Sequence, residues 1–203
     1  MRRSELVRIL SQVPEFSNPD PKREQVATPP ERAADLLFEA LARGDLAARS
    51  VVDLGSGTGR LAIGASLLGA DPVEGIEVDP GAVELARPAA SAAGAEVAWT
   101  VRDVAGVDSA AETVVMNPPF GAQTRGADRP FWEAALARPR AVYAFALADS
   151  RTFIARLTVA RGARVEAQRP VPWTLGPTFR HHRKRSVELP VDLWVIRTQG
   201  PSK

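Results

Sequence analysis

The sequence contains no cysteine, which excludes disulfides, cysteine-ligated zinc and cysteine nucleophiles. Lysine occurs only at positions 22, 184 and 203, so nearly every basic residue is an arginine. No apolar run is long enough to span a bilayer, and Met1-Arg2-Arg3-Ser4-Glu5 leads into no signal-peptide core. A soluble, cytoplasmic protein without a membrane partner is therefore expected. Internal repeats and low-complexity segments are missing too. The two histidines, His181 and His182, are adjacent and have no other ligand-type residues near them in the sequence, a pattern that suits no common metal geometry. Charge of one sign is also lacking. With 26 Lys+Arg against 24 Asp+Glu, the overall balance announces no nucleic-acid partner.

What remains is ordinary for one globular domain with a full core: 203 residues, 45% hydrophobic and 25% charged. Helices and a covering loop are expected in residues 1–44 and the core in 49–203, as a single domain 1–203. Ser4 to Val13 has the apolar spacing of a short amphipathic helix. Pro14 to Pro30 carries five prolines and little periodicity, and reads as a loop lying over the domain. Thr28 followed by Pro29 and Glu31 has the form of a capping box with a proline at the first helical position. Thr28 is thus either only a cap or, with Gln25, part of a flap over a ligand. The helix runs to about Ala42 and is closed by Gly44.

Arg49 to Leu54 reads as a strand, and Gly55-Ser56-Gly57-Thr58-Gly59 follows it directly before an apolar helix over Arg60 to Leu68. No Gly-Lys-Ser/Thr follows, so this is not a P-loop, and the third glycine falls one residue early for the dinucleotide pattern. Asp53, just before the glycines, would repel a pyrophosphate but attract a zwitterionic ligand with an amino group. Pro72 to Glu77 is a second strand ending in an acid, and Glu77 there can accept both hydroxyls of a ribose. After a helix over Gly81 to about Ala93, Ala95 to Val101 is a third strand. Asp103 follows it, placed to accept an adenine amino group, with Val104 beside the ring. Three acids at three successive strand ends around one glycine loop point to a nucleoside-type cofactor.

The fourth strand, Thr113 to Met116, breaks at Asn117-Pro118-Pro119-Phe120. An Asn at the carboxyl end of a buried parallel strand lies where open α/β sheets bind ligands. Its side-chain carbonyl and the Pro118 backbone carbonyl are two acceptors suited to an exocyclic NH2, and Phe120 offers a face for a base to stack on. Gly121 to Asp128 is a polar lip before a helix over Phe131 to Ala137. Ala141 to Leu147 is a buried strand, and Asp149 to Ala160 a helix. Ala163 to Arg169 and Val187 to Arg197 close the sheet as a candidate antiparallel hairpin. Between them, near Trp173 and Phe179, lies Arg180-His181-His182-Arg183-Lys184-Arg185. Without its four permanent cations the rest of the chain has more acidic than basic residues. This run is either a solvated hairpin tip or a phosphate-binding element.

Taken in order, Asp53-x-Gly55-x-Gly57-x-Gly59, Glu77, Asp103 and Asn117-Pro118-Pro119-Phe120 resemble the class I S-adenosylmethionine-dependent methyltransferases that modify an amino nitrogen. With Glu24-Gln25-Val26-Ala27-Thr28-Pro29 upstream and Phe179 to Val187 downstream, the chain resembles the archaeal branch of the methyltransferase-like protein five family, from about Glu15 to Ile196. That resemblance implies a Rossmann-like α/β fold: a mostly parallel seven-stranded sheet with helices on both faces and an antiparallel C-terminal hairpin. It implies S-adenosyl-L-methionine as cofactor and adenine N6 of small-subunit ribosomal RNA as target. By the same resemblance, Gln25 and Thr28 help close the cofactor pocket, and the Asp53, Gly55, Gly57, Gly59 turn holds the methionine moiety. Glu77 takes the ribose, Asp103 and Val104 the adenine, and Asn117, Pro118, Pro119 and Phe120 the target base. RNA contacts are expected from Lys22, Arg23 and the run Arg180 to Arg185. Val26 and Glu77 depart from the family, which often has Tyr and Asp there. A small zinc-binding adaptor, with which eukaryotic members work, is expected to add a strand at Ala95 to Val101, where Trp99 is large and apolar for an edge. Protein-glutamine N5 methylation shares the Asn-Pro-Pro motif, but such enzymes usually have Tyr after it and a larger N-terminal domain. DNA adenine methylation generally needs a target-recognition domain for which there is no room. A non-catalytic RNA-binding module is the reading from a different class.

Overall fold

The computed structural model describes residues 1–17, 19–121, 124–175 and 187–199. Two helices, α1 (Arg3–Leu10) and α2 (Pro30–Ala42), precede the strand β1 (Val51–Leu54). Then come α3 (Arg60–Leu67), β2 (Val73–Glu77), α4 (Pro80–Ala93), β3 (Ala98–Val101) and β4 (Thr113–Met116). The C-terminal part adds α5 (Arg129–Ala135), β5 (Ala141–Leu147), α6 (Arg151–Ala160) and β6 (Arg164–Val171). The short strands β7 (Thr174–Leu175) and β8 (Val187–Glu188) lead to β9 (Val191–Arg197). Seven strands form one sheet in the order β3-β2-β1-β4-β5-β9-β6. The first five are parallel, and β9 runs antiparallel to both β5 and β6, while β7 and β8 pair as a separate small ladder.

The buried parallel strands are apolar on both faces, as expected where helices cover both sides. Val51, Val115, Tyr143 and Phe145 pack on one face with Leu6, Leu10, Leu36, Leu37 and Ile63 from α1 to α3. Val52, Leu54, Val114 and Met116 pack on the other with Trp132 of α5 and Ile154 of α6. Among the described residues no helix is long and apolar enough to cross a membrane.

Three expectations need correction. Thr28 is not a helix cap. Pro29 occupies the N-cap with extended backbone (φ −56°, ψ 137°) and no side-chain cap bond, and Pro30 is the first helical residue. A residue before proline is pushed out of the helical region, so the second proline moves the helix start past Thr28. The third strand begins later than Ala95, because Gly94 (φ +71°) closes α4 and the Ala95 N–H returns to the Ala90 carbonyl at 2.9 Å. Trp99 is on the edge strand, but half-buried there and not fully presented to a partner. A Cβ on Gly59 or Gly75 would lie 2.5 Å from its ring, so the indole is folded down onto two glycines of its own chain.

Candidate active site

The strand register puts the ends of β1, β2 and β4 at one level. Leu54 pairs with Ile76 and with Met116, so Gly55, Glu77 and Asn117 follow on the same rim. Gly55 and Ser56 donate their N–H groups to the Ile76 carbonyl at 2.8 and 3.0 Å, tying the glycine turn to β2. Gly57 takes φ +54°, which aims its N–H at Glu77 Oε2 (2.8 Å). Glu77 Oε1 accepts from the Asp79 N–H at 2.9 Å. The carboxylate is thereby fixed, with lone pairs still available on both oxygens for two hydroxyls.

Asp53 is 1% exposed and accepts one hydrogen bond at Oδ2, from the Ala62 N–H at the start of α3 (3.0 Å). Burial, partly offset by that bond and reinforced by the Glu77 charge, pushes its carboxyl up to about 8. Its Oδ1 has no protein partner. Asn117 Oδ1 is likewise buried and unpartnered.

Two connected spaces open on this rim. The larger, about 270 Å³, is lined by Glu77, Asp103 and Val104 on one side and by Asn117, Pro119 and Phe131 on the other. The smaller, about 30 Å³, is lined by Asp53, Ser56, Thr28, Arg60 and Asn117. Asn117, Gly55 and Gly57 belong to both walls, and Phe16 and Val26 of the proline-rich loop roof both. Gln25, in the same roof, donates from Nε2 to Asp79 Oδ2 and accepts from the Asp20 N–H, both at 2.7 Å. That amide, with the Gly81 N–H, holds the Asp79 carboxyl below the usual range. Asp103 accepts from the Ala105 N–H at 2.8 Å while exposed at the cavity rim.

Most of the expected site residues thus converge. Gln25, Gly55, Gly57, Glu77, Asp103, Val104, Asn117 and Pro119 line the larger space, and Thr28 and Asp53 the smaller. Gly59 stands outside both walls as the N-cap of α3, beneath Trp99. Pro118 is buried beside the site. Phe120 also stays outside the cavity walls: its ring meets Trp173 edge to face at 5.6 Å, and Trp173 in turn meets Phe145 at 5.0 Å. Arg23 lines the larger cavity, which places it at the cofactor side of the rim. The Lys22 side chain and the run Arg180, His181, His182, Arg183, Lys184, Arg185 lie outside the described residues.

Sequence reading missed Phe16 and Arg60, and saw Trp173 only as an aromatic near the basic run. A Cβ on Gly57 would lie 2.9 Å from the Phe16 ring. Arg60 is buried, and its guanidinium reaches the Thr28 and Val13 carbonyls (2.9 and 3.1 Å) and Glu15 (2.7 Å). A cation opening a helix works against the helix dipole, and that misfit was the available signal.

A glycine turn, an acid at the end of each of the next two strands and an Asn-Pro-Pro after the fourth are the pattern of a class I methyltransferase site. Comparison with known proteins shows the same class of protein. The model of the methyltransferase small domain family matches residues 28–138. An uncharacterized protein of Methanocaldococcus jannaschii is 30% identical, over 98% of this chain and 96% of its own. The rRNA N(6)-adenosine-methyltransferase Mettl5 of Drosophila melanogaster is 31% identical over 88% of each chain. A crystal structure from Pyrococcus horikoshii, described as that of a candidate RNA methyltransferase, superposes with a TM-score of 0.89 at 35% identity, covering 97% and 98% of the two chains. The chain belongs to the methyltransferase small domain family and is an S-adenosylmethionine-dependent enzyme.

Proposed function

We propose that this enzyme methylates N6 of adenine in RNA, with small-subunit ribosomal RNA as the substrate. The observation that carries the reading is Asn117 Oδ1, a buried acceptor without a protein partner on the wall shared by both cavities. The naming of the Drosophila relative supports ribosomal RNA as the class of substrate.

S-adenosylmethionine, when bound, would supply an electrophilic sulfonium methyl. The donor and acceptor set fits that group: Glu77 for the ribose, Asp103 for the adenine amino group, and the unpartnered Asp53 Oδ1 for an ammonium. Asn117 and the Pro118 carbonyl accept the two N6 hydrogens, favour a more tetrahedral nitrogen and stabilise the positive charge that develops on it. Fixing the amine beside the cofactor space, these acceptors would lower the barrier further by proximity. Phe120, buttressed by Trp173, holds the extruded base by stacking. The run Arg180 to Arg185, with Lys22 and Arg23, contributes phosphate contacts. The outer edge of β3 offers the docking strand for a small zinc-binding adaptor, to be tested by pull-down and by the solubility of the isolated chain.

The test is methylation of ribosomal subunits, free RNA, DNA and protein with labelled cofactor, followed by nucleoside and amino-acid analysis. Labelled N6-methyladenosine from small-subunit RNA is expected. Label recovered in N5-methylglutamine, or in DNA alone, overturns the proposal.

A further inference from the structure

We propose that Arg60 binds the carboxylate of the cofactor's methionine end through its Nε–H, and that the same guanidinium couples this contact to closure of the loop at 13–28. The inference rests on the cofactor assignment and is independent of the RNA substrate.

Seven buried side-chain polar atoms lack a protein partner among the described residues. Three are indole nitrogens, and the other four sit on residues that line the smaller cavity: Asp53 Oδ1, Ser56 Oγ, Arg60 Nε and Asn117 Oδ1. Leaving such groups unsatisfied is costly, so their concentration in one place marks a site built for a ligand. Their chemistry is complementary to an amino-acid end. Asp53 is an acceptor for an ammonium, Arg60 a charged donor for a carboxylate, and Ser56 serves either. Arg60 is 6% exposed and Asp53 1%, and both line the same cavity, yet the ion pair that Arg60 makes is with Glu15, whose side chain is 69% exposed. A zwitterion between the two buried groups satisfies both.

The remaining guanidinium nitrogens are spent on the loop. Nη1 donates to the Thr28 carbonyl, and Nη2 to the Val13 carbonyl and Glu15. One planar fork therefore grips both ends of the segment whose Phe16 and Val26 roof the cofactor space. The smaller cavity, about 30 Å³, has room for only a few waters in this form. Admitting a methionine end requires the loop to lift, and the contact at Nε rewards the guanidinium for returning to the geometry that closes it.

The experiment compares S-adenosylhomocysteine with its decarboxylated analogue, which keeps the amine, by calorimetry on the full chain. The wild type should prefer the carboxylate-bearing ligand at least about tenfold, the scale of a buried charge-assisted hydrogen bond. Arg60→Gln should abolish that preference, mainly by weakening S-adenosylhomocysteine. Arg60→Lys, which keeps the charge without the fork, should reduce it. Glu15→Gln, which loosens the loop alone, should weaken both ligands by the same factor. Limited trypsin digestion at Lys22 and Arg23 reads the coupling: S-adenosylhomocysteine should protect these bonds in the wild type, and the decarboxylated analogue should protect them less. An unchanged preference in both Arg60 variants, or equal protection by the two ligands, overturns the proposal. Wild-type protein that binds neither ligand overturns the cofactor assignment itself.

Discussion

Cofactor binding should expel a proton from Asp53. Its carboxyl stands at about 8 because it is buried, so at pH 7 about nine-tenths of the molecules hold a proton there. An ammonium at the unpartnered Oδ1 favours the ionised form and pulls the value back down. Binding at pH 7 should then release about 0.9 proton per site, and affinity should rise about tenfold between pH 6 and 7. Calorimetry in two buffers of different ionisation enthalpy measures the release. Asp53→Asn keeps an acceptor for the Ala62 N–H and should fold, but it should bind more weakly and release no proton. A buffer-independent enthalpy in the wild type, or equal release in the variant, refutes the reasoning. Stability gives an independent check. A carboxyl raised in the folded state keeps a proton that the unfolded chain has already lost. Its contribution therefore declines as pH rises from the ordinary carboxylate range to about 8. The melting temperature of the free wild type should fall across that window relative to Asp53→Asn.

Asn117→Ala should cost about 100-fold or more in methyl transfer while cofactor affinity stays within a few-fold, as measured by single-turnover rates and calorimetry. Phe120→Ala should lose about 1–3 kcal/mol of base stacking, seen as weaker transfer with unchanged cofactor binding. Arg183→Ala/Lys184→Ala/Arg185→Ala should weaken RNA binding with little regard to sequence and flatten the log–log salt dependence by about 0.7 to 0.9 for each phosphate no longer neutralised. Cofactor binding that fell with it would give the run a structural role. Gly75→Ala drives a methyl into the Trp99 ring and should destabilise the fold by about 1–3 kcal/mol in denaturant titration.

The strand ends are legible in the sequence because each is a short apolar run followed by an abrupt change of chemistry: glycine after Leu54, acids at Glu77 and Asp103, prolines after Asn117. Parallel packing then brings those ends to one rim whatever the intervening helices do. The capping box misleads because two prolines in succession compete for the helix start, and the local steric rule favours the second. Trp99 misleads for another reason. Its exposure depends on two glycines, one on a neighbouring strand and one in the turn before α3, and neither is within twenty residues of it. Arg60 belongs to the same class, since Val13, Glu15 and Thr28 are brought to it by the fold alone. Phe120 stands out in the sequence, but its support from Trp173 does not, because that contact joins the end of β4 to the turn after β6.

The proposed reaction requires no general base, and the geometry is consistent with that. Methyl transfer leaves the adenine nitrogen positively charged with one proton too many, and that proton is acidic once the charge has formed. Of the carboxylates on the cavity walls, Asp53 shares the smaller space with Asn117, yet in the proposed reading it partners the ammonium. Taking the proton would dissolve the pairing that lowers its value from about 8. Glu77 accepts from two backbone N–H groups, those of Gly57 and Asp79. Asn117 and Pro118 are acceptors of hydrogen bonds and not of protons, which suits groups that must polarise the amine before transfer and let its proton go afterwards. The division of labour follows from burial. In the proposed reaction the titratable acid serves the cofactor end of the rim, and the reacting nitrogen is left to neutral carbonyls, which stabilise a developing cation without quenching it.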